Sequence, residues 1–247
     1  MKEDIALWIR DYCEKNGIKK LVVGISGGID SAVVSTLCCL TGIDTILVSI
    51  PIKQKEDQLN RARKHADWLS KKFNNVNFIE KDMTELFNRF SMEFSENEKS
   101  ELSLANSKSR LRMMVLYQIA GSNNAIVVGT GNKIEDFGVG FFTKYGDGGV
   151  DVSPIADLTK TEVKKLAKEL EIIDEIQVAK PTDGLWDIDK SDEEQLGASY
   201  EELEFAMNFN GNISELTNRE KEVLDIYNNF HSKNLHKMIP IPIWKKD

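Results

Sequence analysis

The apolar positions of this chain change period along its length. Near the N-terminus Ile5, Trp8, Ile9 and Tyr12 recur at the i, i+3, i+4, i+7 spacing of one helical face, which predicts an amphipathic helix packed on the body of the protein. Residues 21–25 form a short valine-containing run between lysines and Ser26-Gly27-Gly28, the signature of a buried strand. Residues 31–40 are apolar nearly all round and stop at Gly42, as a buried helix does. A second strand is expected over 45–50, ending at Pro51. A surface helix follows over 58–73, with Leu59, Ala62, Ala66, Leu69 and Phe73 on its inner face and His65 on its polar side. Residues 76–79 make a third, weaker strand, 103–120 a helix, and 125–128 a fourth strand running into Gly129-Thr130-Gly131-Asn132. Strands alternating with helices imply βαβ units, and right-handed crossovers put all strand C-terminal ends on one edge. The expected fold class is α/β, a doubly wound parallel sheet flanked by helices.

The last third loses the strand rhythm. Thr159, Ser191 and Thr217 are each followed three residues later by a glutamate (Glu162, Glu194, Glu220), and each of these capping boxes precedes a helical pattern. Residues 181–192 between them have no period and are acidic. Leu185, Trp186 and Ile188 are apolar there, so the segment is expected to be mobile when the site is empty and to close over a bound ligand through Trp186. No linker or repeat divides the chain, and residues 1–247 are expected to form a single domain.

Composition removes several function classes. The formal net charge of −8 argues against a large nucleic-acid footprint. No apolar run approaches the roughly 18 residues of a membrane span, and the first residues are not a signal peptide. Cys13, Cys38 and Cys39 are odd in number and two are adjacent, which points to reduced thiols and a cytoplasmic location. There is no CxxC pair and no Cys/His metal spacing.

The segment Gly24-Ile25-Ser26-Gly27-Gly28-Ile29-Asp30-Ser31 sits between the first strand and its helix. Two glycines turn the backbone N–H groups inward, Ser26 and Ser31 add hydroxyls, and the helix adds its positive end: a cradle for a polyphosphate. It is neither GxxxxGK[ST] nor GxGxxG. Asp30 would repel phosphate unless it held Mg²⁺ against it; the alternative is a plain glycine turn with Asp30 as helix cap. Glu135 follows the fourth strand at the ligand-binding edge, either as a metal carboxylate near Asp30 or as a solvated loop acid. Residues 141–149 are a glycine-rich loop with two phenylalanines, Lys144 and Asp147. Lys160 stands in the first turn of the helix capped by Thr159, where the dipole disfavours a cation, so either an anion faces it or solvent carries the small penalty. Of the histidines, His65 is expected to be inert, His231 to cap a helix end, and His236 to stand just after the last helix.

Ser26-Gly-Gly-Ile-Asp-Ser31 matches the SGGxDS signature of N-type ATP pyrophosphatases, which cleave ATP between the α and β phosphates. Downstream, the loop from Phe141 to Gly149, Leu158-Thr-Lys160, Lys180-Pro-Thr182, Ser191-Asp-Glu-Glu-Gln-Leu-Gly197 and His236-Lys237 follow in order. Together they resemble ammonia-dependent NAD synthetases over nearly the whole chain. That resemblance implies an adenine nucleotide alpha hydrolase-like sheet and amidation of deamido-NAD by ammonia through an acyl-adenylate, with ATP as co-substrate and Mg²⁺ as cofactor. It implies ATP contacts from Gly24 through Ser31, Thr130, Lys160 and Thr182, and Mg²⁺ on Asp30 and Glu135. Arg110, Lys144, Asp151, His236 and Lys237 would bind deamido-NAD, with Asp147 near the reacting carboxylate or ammonia. It further implies a homodimer with the dinucleotide site near the subunit boundary, where the 103–120 helix carries Arg110 and Arg112 beside Met113, Met114 and Tyr117. A tRNA-modifying member of the same ATP group would need a basic surface that the charge does not offer; amidation of the mononucleotide is the nearer rival.

Overall fold

The computed structural model describes residues 1–182, 184, 185 and 191–246. Its centre is a four-stranded parallel sheet, β1 (Lys20–Gly24), β2 (Asp44–Ser49), β3 (Val76–Glu80) and β4 (Ala125–Val128), in the order β3-β2-β1-β4. In β1, Leu21 and Val23 enter one core and Val22 enters the other. Side chains alternate across a strand, and both faces of this one are covered, which is why its sequence is a continuous apolar run. The expected α/β fold is therefore the observed one.

The larger core holds α1 (Lys2–Lys15), α2 (Ile29–Leu40), α3 (Glu56–Lys72), α6 (Lys160–Glu169) and α7 (Asp174–Gln177) against one face of the sheet. The other face is covered by α5 (Glu101–Asn123), which also contacts α4 (Thr84–Met92). A separate core joins α8 (Asp192–Leu196), α9 (Tyr200–Asn208) and α10 (Asn218–Met238) to a π-helical turn, Ile134–Val139. The three capping boxes form as expected, each with its Ser or Thr accepting from the third backbone N–H.

Four local expectations are corrected. The buried face of α1 is Ala6, Ile9 and Cys13, while Trp8 is 47% exposed and Tyr12 36%. Small residues let α1 approach α2 closely, and the two aromatic rings pack on each other at the rim instead. His65 is on the inner face of α3, fully buried, with Nε2 2.9 Å from Ser35 Oγ. His231 lies within α10 and donates from Nδ1 to the carbonyl of Gly138 at 2.7 Å. His236 is in the last turn of α10 rather than beyond it. The expected closure through Trp186 and Ile188 lies outside the described residues.

Candidate active site

In the sheet order, β1 and β4 lie side by side, but their crossovers leave in opposite directions. That is the switch point at which parallel sheets open a crevice beyond the strand ends. The turn after β1 enters it. Gly27 has φ +82°, a conformation open to glycine, and a Cβ there would run into the backbone carbonyl of Gln58 on α3. Ser31 Oγ donates to the Gly28 carbonyl at 3.0 Å and accepts from Ser26 N–H at 3.2 Å; Ser26 Oγ accepts from Gly28 N–H at 3.2 Å. Arg61 and Gln54 hold the turn from outside through the Gly27 and Ser26 carbonyls. Gly28 is the N-cap of α2, and no side chain caps that end. The first-turn amides of α2 are therefore presented to the crevice.

Below the turn lies a buried charge cluster. Asp30, in the first turn of α2, and Glu135, on the π turn after β4, converge on Lys160 at the start of α6. Lys160 Nζ is 2.5 Å from Asp30 Oδ2 and 3.0 Å from Glu135 Oε1. The lysine side chain is 2% exposed and the two carboxylates 18% and 17%, so the acids open more widely onto the crevice than the cation they hold at its wall. Asn132, fully buried, donates to Asp30 Oδ1 and orders the π turn by accepting from the N–H groups of Ile134 and Glu135. The Tyr200 hydroxyl donates to Glu135 Oε1 at 2.5 Å. Burial pushes Asp30 above its usual carboxylate range against the pull of Lys160. Burial acts on Glu135 too, but Lys160 and Tyr200 outweigh it and hold that acid below its usual range. Burial lowers Lys160 less than the two acids raise it, so it stays a cation.

Two more acids face the same space. Burial, then Glu135, Asp147 and Asp30, push Asp136 well up; its carboxyl fills the position a side chain at Gly131 would take. Asp147 accepts from Ser109 Oγ at 2.6 Å and Thr143 N–H at 3.0 Å, and burial raises it against those bonds. Asp30 and Glu135 thus present hard oxygen donors to the cleft beside a single lysine. Among the described residues no group of three acidic, His or Cys side chains could hold a metal by itself.

These residues line a cleft of about 260 Å³. It brings together Gly24 through Ser31, Thr130, Glu135, Asp147, Lys160 and Thr182, with an apolar end formed by Val48, Ile50 and Leu116. The residues expected to bind the dinucleotide do not line it. Lys144 Nζ donates to the His236 carbonyl, Arg110 Nε to the Lys144 carbonyl, and Lys237 Nζ to the carbonyls of Gly140 and Phe142. Asp151 accepts from the Tyr117 hydroxyl and the Val127 N–H, tying the chain to β4. On α5, Arg112 and Met113 turn into the cleft while Met114 is 56% exposed.

Sequence reasoning missed Asn132, Tyr200 and Asp136. The signal for Tyr200 was present as a further capping box, Ser199 with Glu202, which starts α9 and aims the ring inward.

The Ser26-Gly-Gly-Ile-Asp-Ser31 turn, set at the switch point of a parallel sheet, is the signature of the N-type ATP pyrophosphatases. The NAD synthase family model matches residues 1–241, and the chain belongs to that family. It is 35% identical to an NH(3)-dependent NAD(+) synthetase of Alkaliphilus metalliredigens, over 98% of this chain and 96% of that one. A Finegoldia magna protein of the same name is 37% identical over 90% and 88%. Among solved structures, an NMN synthetase from Francisella tularensis superposes with a TM-score of 0.87 at 28% identity, covering 99% and 97% of the two chains. An NH3-dependent NAD synthetase from Campylobacter jejuni gives 0.79 at 26%, with the same coverage.

Proposed function

We propose that residues 1–247 act as one ammonia-dependent NAD synthetase domain. It is a ligase that amidates deamido-NAD with ammonia at the expense of ATP, giving NAD, AMP and pyrophosphate through an acyl-adenylate. The observation that carries this reading is the convergence of Asp30, Glu135 and Lys160 beneath the cradle from Ser26 to Ser31.

The residues fit Mg²⁺. Asp30 and Glu135 offer hard oxygen donors, and two carboxylates leave positions for phosphate oxygens and water, the usual division of labour for this ion on a nucleotide. Bound there, Mg²⁺ neutralises phosphate charge. The chain does the rest. The α2 amides and the Ser26 and Ser31 hydroxyls hold the phosphates, with Thr130 and Thr182 on the cleft walls, and Lys160 supplies fixed positive charge as pyrophosphate leaves. A carboxylate is a poor electrophile until adenylated, and the adenylate is readily hydrolysed, so a cleft that excludes water protects it. Asp147, on the cleft wall, is the acid near the reacting carboxylate or the incoming ammonia. Arg110, Lys144, Asp151, His236 and Lys237 take the dinucleotide from outside the cleft, at the boundary of a homodimer. Exposed Leu86, Phe90 and Met92 on α4 and Leu102 and Met114 on α5 support such a contact. Three buried free thiols support a reducing cytoplasmic setting, and no described helix is long and apolar enough to cross a membrane.

Equal amounts of AMP and pyrophosphate from ATP, ammonium and deamido-NAD are expected; ADP and orthophosphate would refute the reading. The likeness to the NMN synthetase structure favours nicotinate mononucleotide as the second reading. Comparing kcat/KM for the two acids decides between them. Light scattering reports the assembly, and a fully active monomer at micromolar concentration would refute the dimer.

A further inference from the structure

Lys160 occupies an unusual place. It stands at the N-terminal turn of α6, where unsatisfied amide dipoles oppose a cation. It is buried, and its partners are the two acids assigned above to the metal. A third neighbour, the Tyr200 ring, lies 4.6 Å from the ammonium and closes the site on that side. A lysine needed only to touch phosphate could keep a hydrated head group at the cleft wall, but this one is 2% exposed. Instead this one spends its charge on Asp30 and Glu135, and each acid oxygen it engages is one that a metal would need.

We propose that Lys160 is the resident cation of the Asp30–Glu135 pair: it keeps divalent metal out of the empty enzyme, so that metal enters only with the nucleotide. The inference rests on the assignment of Asp30 and Glu135 to the metal. Two buried carboxylates without a counter-ion would repel each other, and the lysine removes that repulsion. A divalent ion arriving alone must displace an ion pair of short, charge-assisted bonds, and among the described residues it finds no cluster of three acidic, His or Cys ligands in exchange. A triphosphate changes both sides of that balance. It gives the lysine a new anion, and it gives the metal further oxygen ligands. By linkage the nucleotide then tightens metal binding by the factor by which the metal tightens nucleotide binding. The device also keeps the two acids from being held by a stray cation before the substrate arrives.

The test is Mn²⁺ binding, followed by electron paramagnetic resonance, without nucleotide and with α,β-methylene ATP, which cannot release pyrophosphate. Wild type is expected to bind Mn²⁺ at least tenfold more weakly than Lys160→Met when nucleotide is absent. Lys160→Arg, which keeps the charge, should stay close to wild type. With the analogue, wild type should tighten by more than tenfold and Lys160→Met by much less. Because removing the lysine strands two acids, Lys160→Met is also melted with and without MgCl₂; its melting temperature should rise with Mg²⁺ while that of wild type does not. Wild type binding bare Mn²⁺ as tightly as Lys160→Met, or a Lys160→Met melting temperature indifferent to Mg²⁺, overturns the proposal. Failure of the underlying assignment gives a different result: Mn²⁺ binding with the analogue that is the same in wild type, Asp30→Asn and Glu135→Gln.

Discussion

Replacing Tyr200 with phenylalanine removes one oxygen from the centre of the site and leaves the ring in place. Tyr200 is fully buried and its hydroxyl donates to Glu135 Oε1 at 2.5 Å, the length of a bond to a charged acceptor. Hydrogen bonds to charged groups contribute about 1.5–3 kcal/mol. Glu135 keeps its bond to Lys160, so it is not left without a donor, and the ring leaves no large cavity; a loss of about 2 kcal/mol is expected. For a chain of this size each kcal/mol lowers Tm by about 2–4 °C, so Tyr200→Phe should melt about 4–8 °C lower at pH 7. The pH dependence has a defined sign. Tyr200 helps hold Glu135 below its usual range, and a depressed acid adds stability above its unfolded pKa that is lost as pH falls through the folded one. The gap between wild type and variant should therefore be full at neutral pH and shrink on acidification. Calorimetry at a series of pH values measures it. A Tm within about 1 °C of wild type at pH 7 would show that the hydroxyl does not bind Glu135.

Asp30→Asn and Glu135→Gln should each lower turnover on the order of 10²-fold while leaving a folded chain, because Lys160 retains the other acid; a near-wild-type rate for Glu135→Gln at low magnesium would refute its metal role. Gly27→Ala should lose about 1–3 kcal/mol in urea denaturation and raise the KM for ATP, since the residue has φ +82° and its Cβ would meet the Gln58 carbonyl. Burial pushes His65 down to about 4, so the folded state resists its protonation. From an unfolded value of about 6.5, stability should rise by about 3 kcal/mol as pH increases through the window between them, and His65→Gln should flatten that part of the profile in urea titrations.

What could be foreseen from sequence depended on how local the cause was. The β1 turn was legible because its glycines, serines and flanking strand are consecutive. Lys160 was legible because a cation in the first turn of a capped helix is locally unfavourable and asks for an anion; the anions are Asp30 and Glu135, 130 and 25 residues away. His65 was not legible. Its type suggested the polar face of α3, and its burial rests on the Ser35 hydroxyl of α2 and on stacking against Trp68. Asn132 looked like a loop residue because its bonds to the Ile134 and Glu135 amides are the local ones any turn asparagine makes, and its bond to Asp30 exists only once β1 and β4 are neighbours. Trp8 and Tyr12 misled the reading of α1 for the opposite reason: a periodic aromatic pair marked the rim, and alanine and cysteine made the contact.

The positive side chains outside the cleft bear on how mutations there are interpreted. His231, Asn234 and Lys237 lie along one side of α10 and donate in turn to the carbonyls of Gly138, Val139, and Gly140 with Phe142. This row fixes the chain between the π turn, which carries Glu135, and the loop whose Asp147 enters the cleft. Lys237 commits two of its three N–H donors to that backbone, Lys144 one of three, and Arg110 one of five. These bonds position the side chains without exhausting them, and donors remain for a phosphate or a ribose. The same bonds mean that removing Lys237 frees the Gly140 and Phe142 carbonyls only a few residues before Asp147. Loss of activity in a Lys237 variant therefore combines a lost charge with a displaced loop. Lys237→Arg separates them: it keeps the charge but cannot reproduce a point contact on two carbonyls, so a KM that holds while kcat falls assigns the effect to the loop.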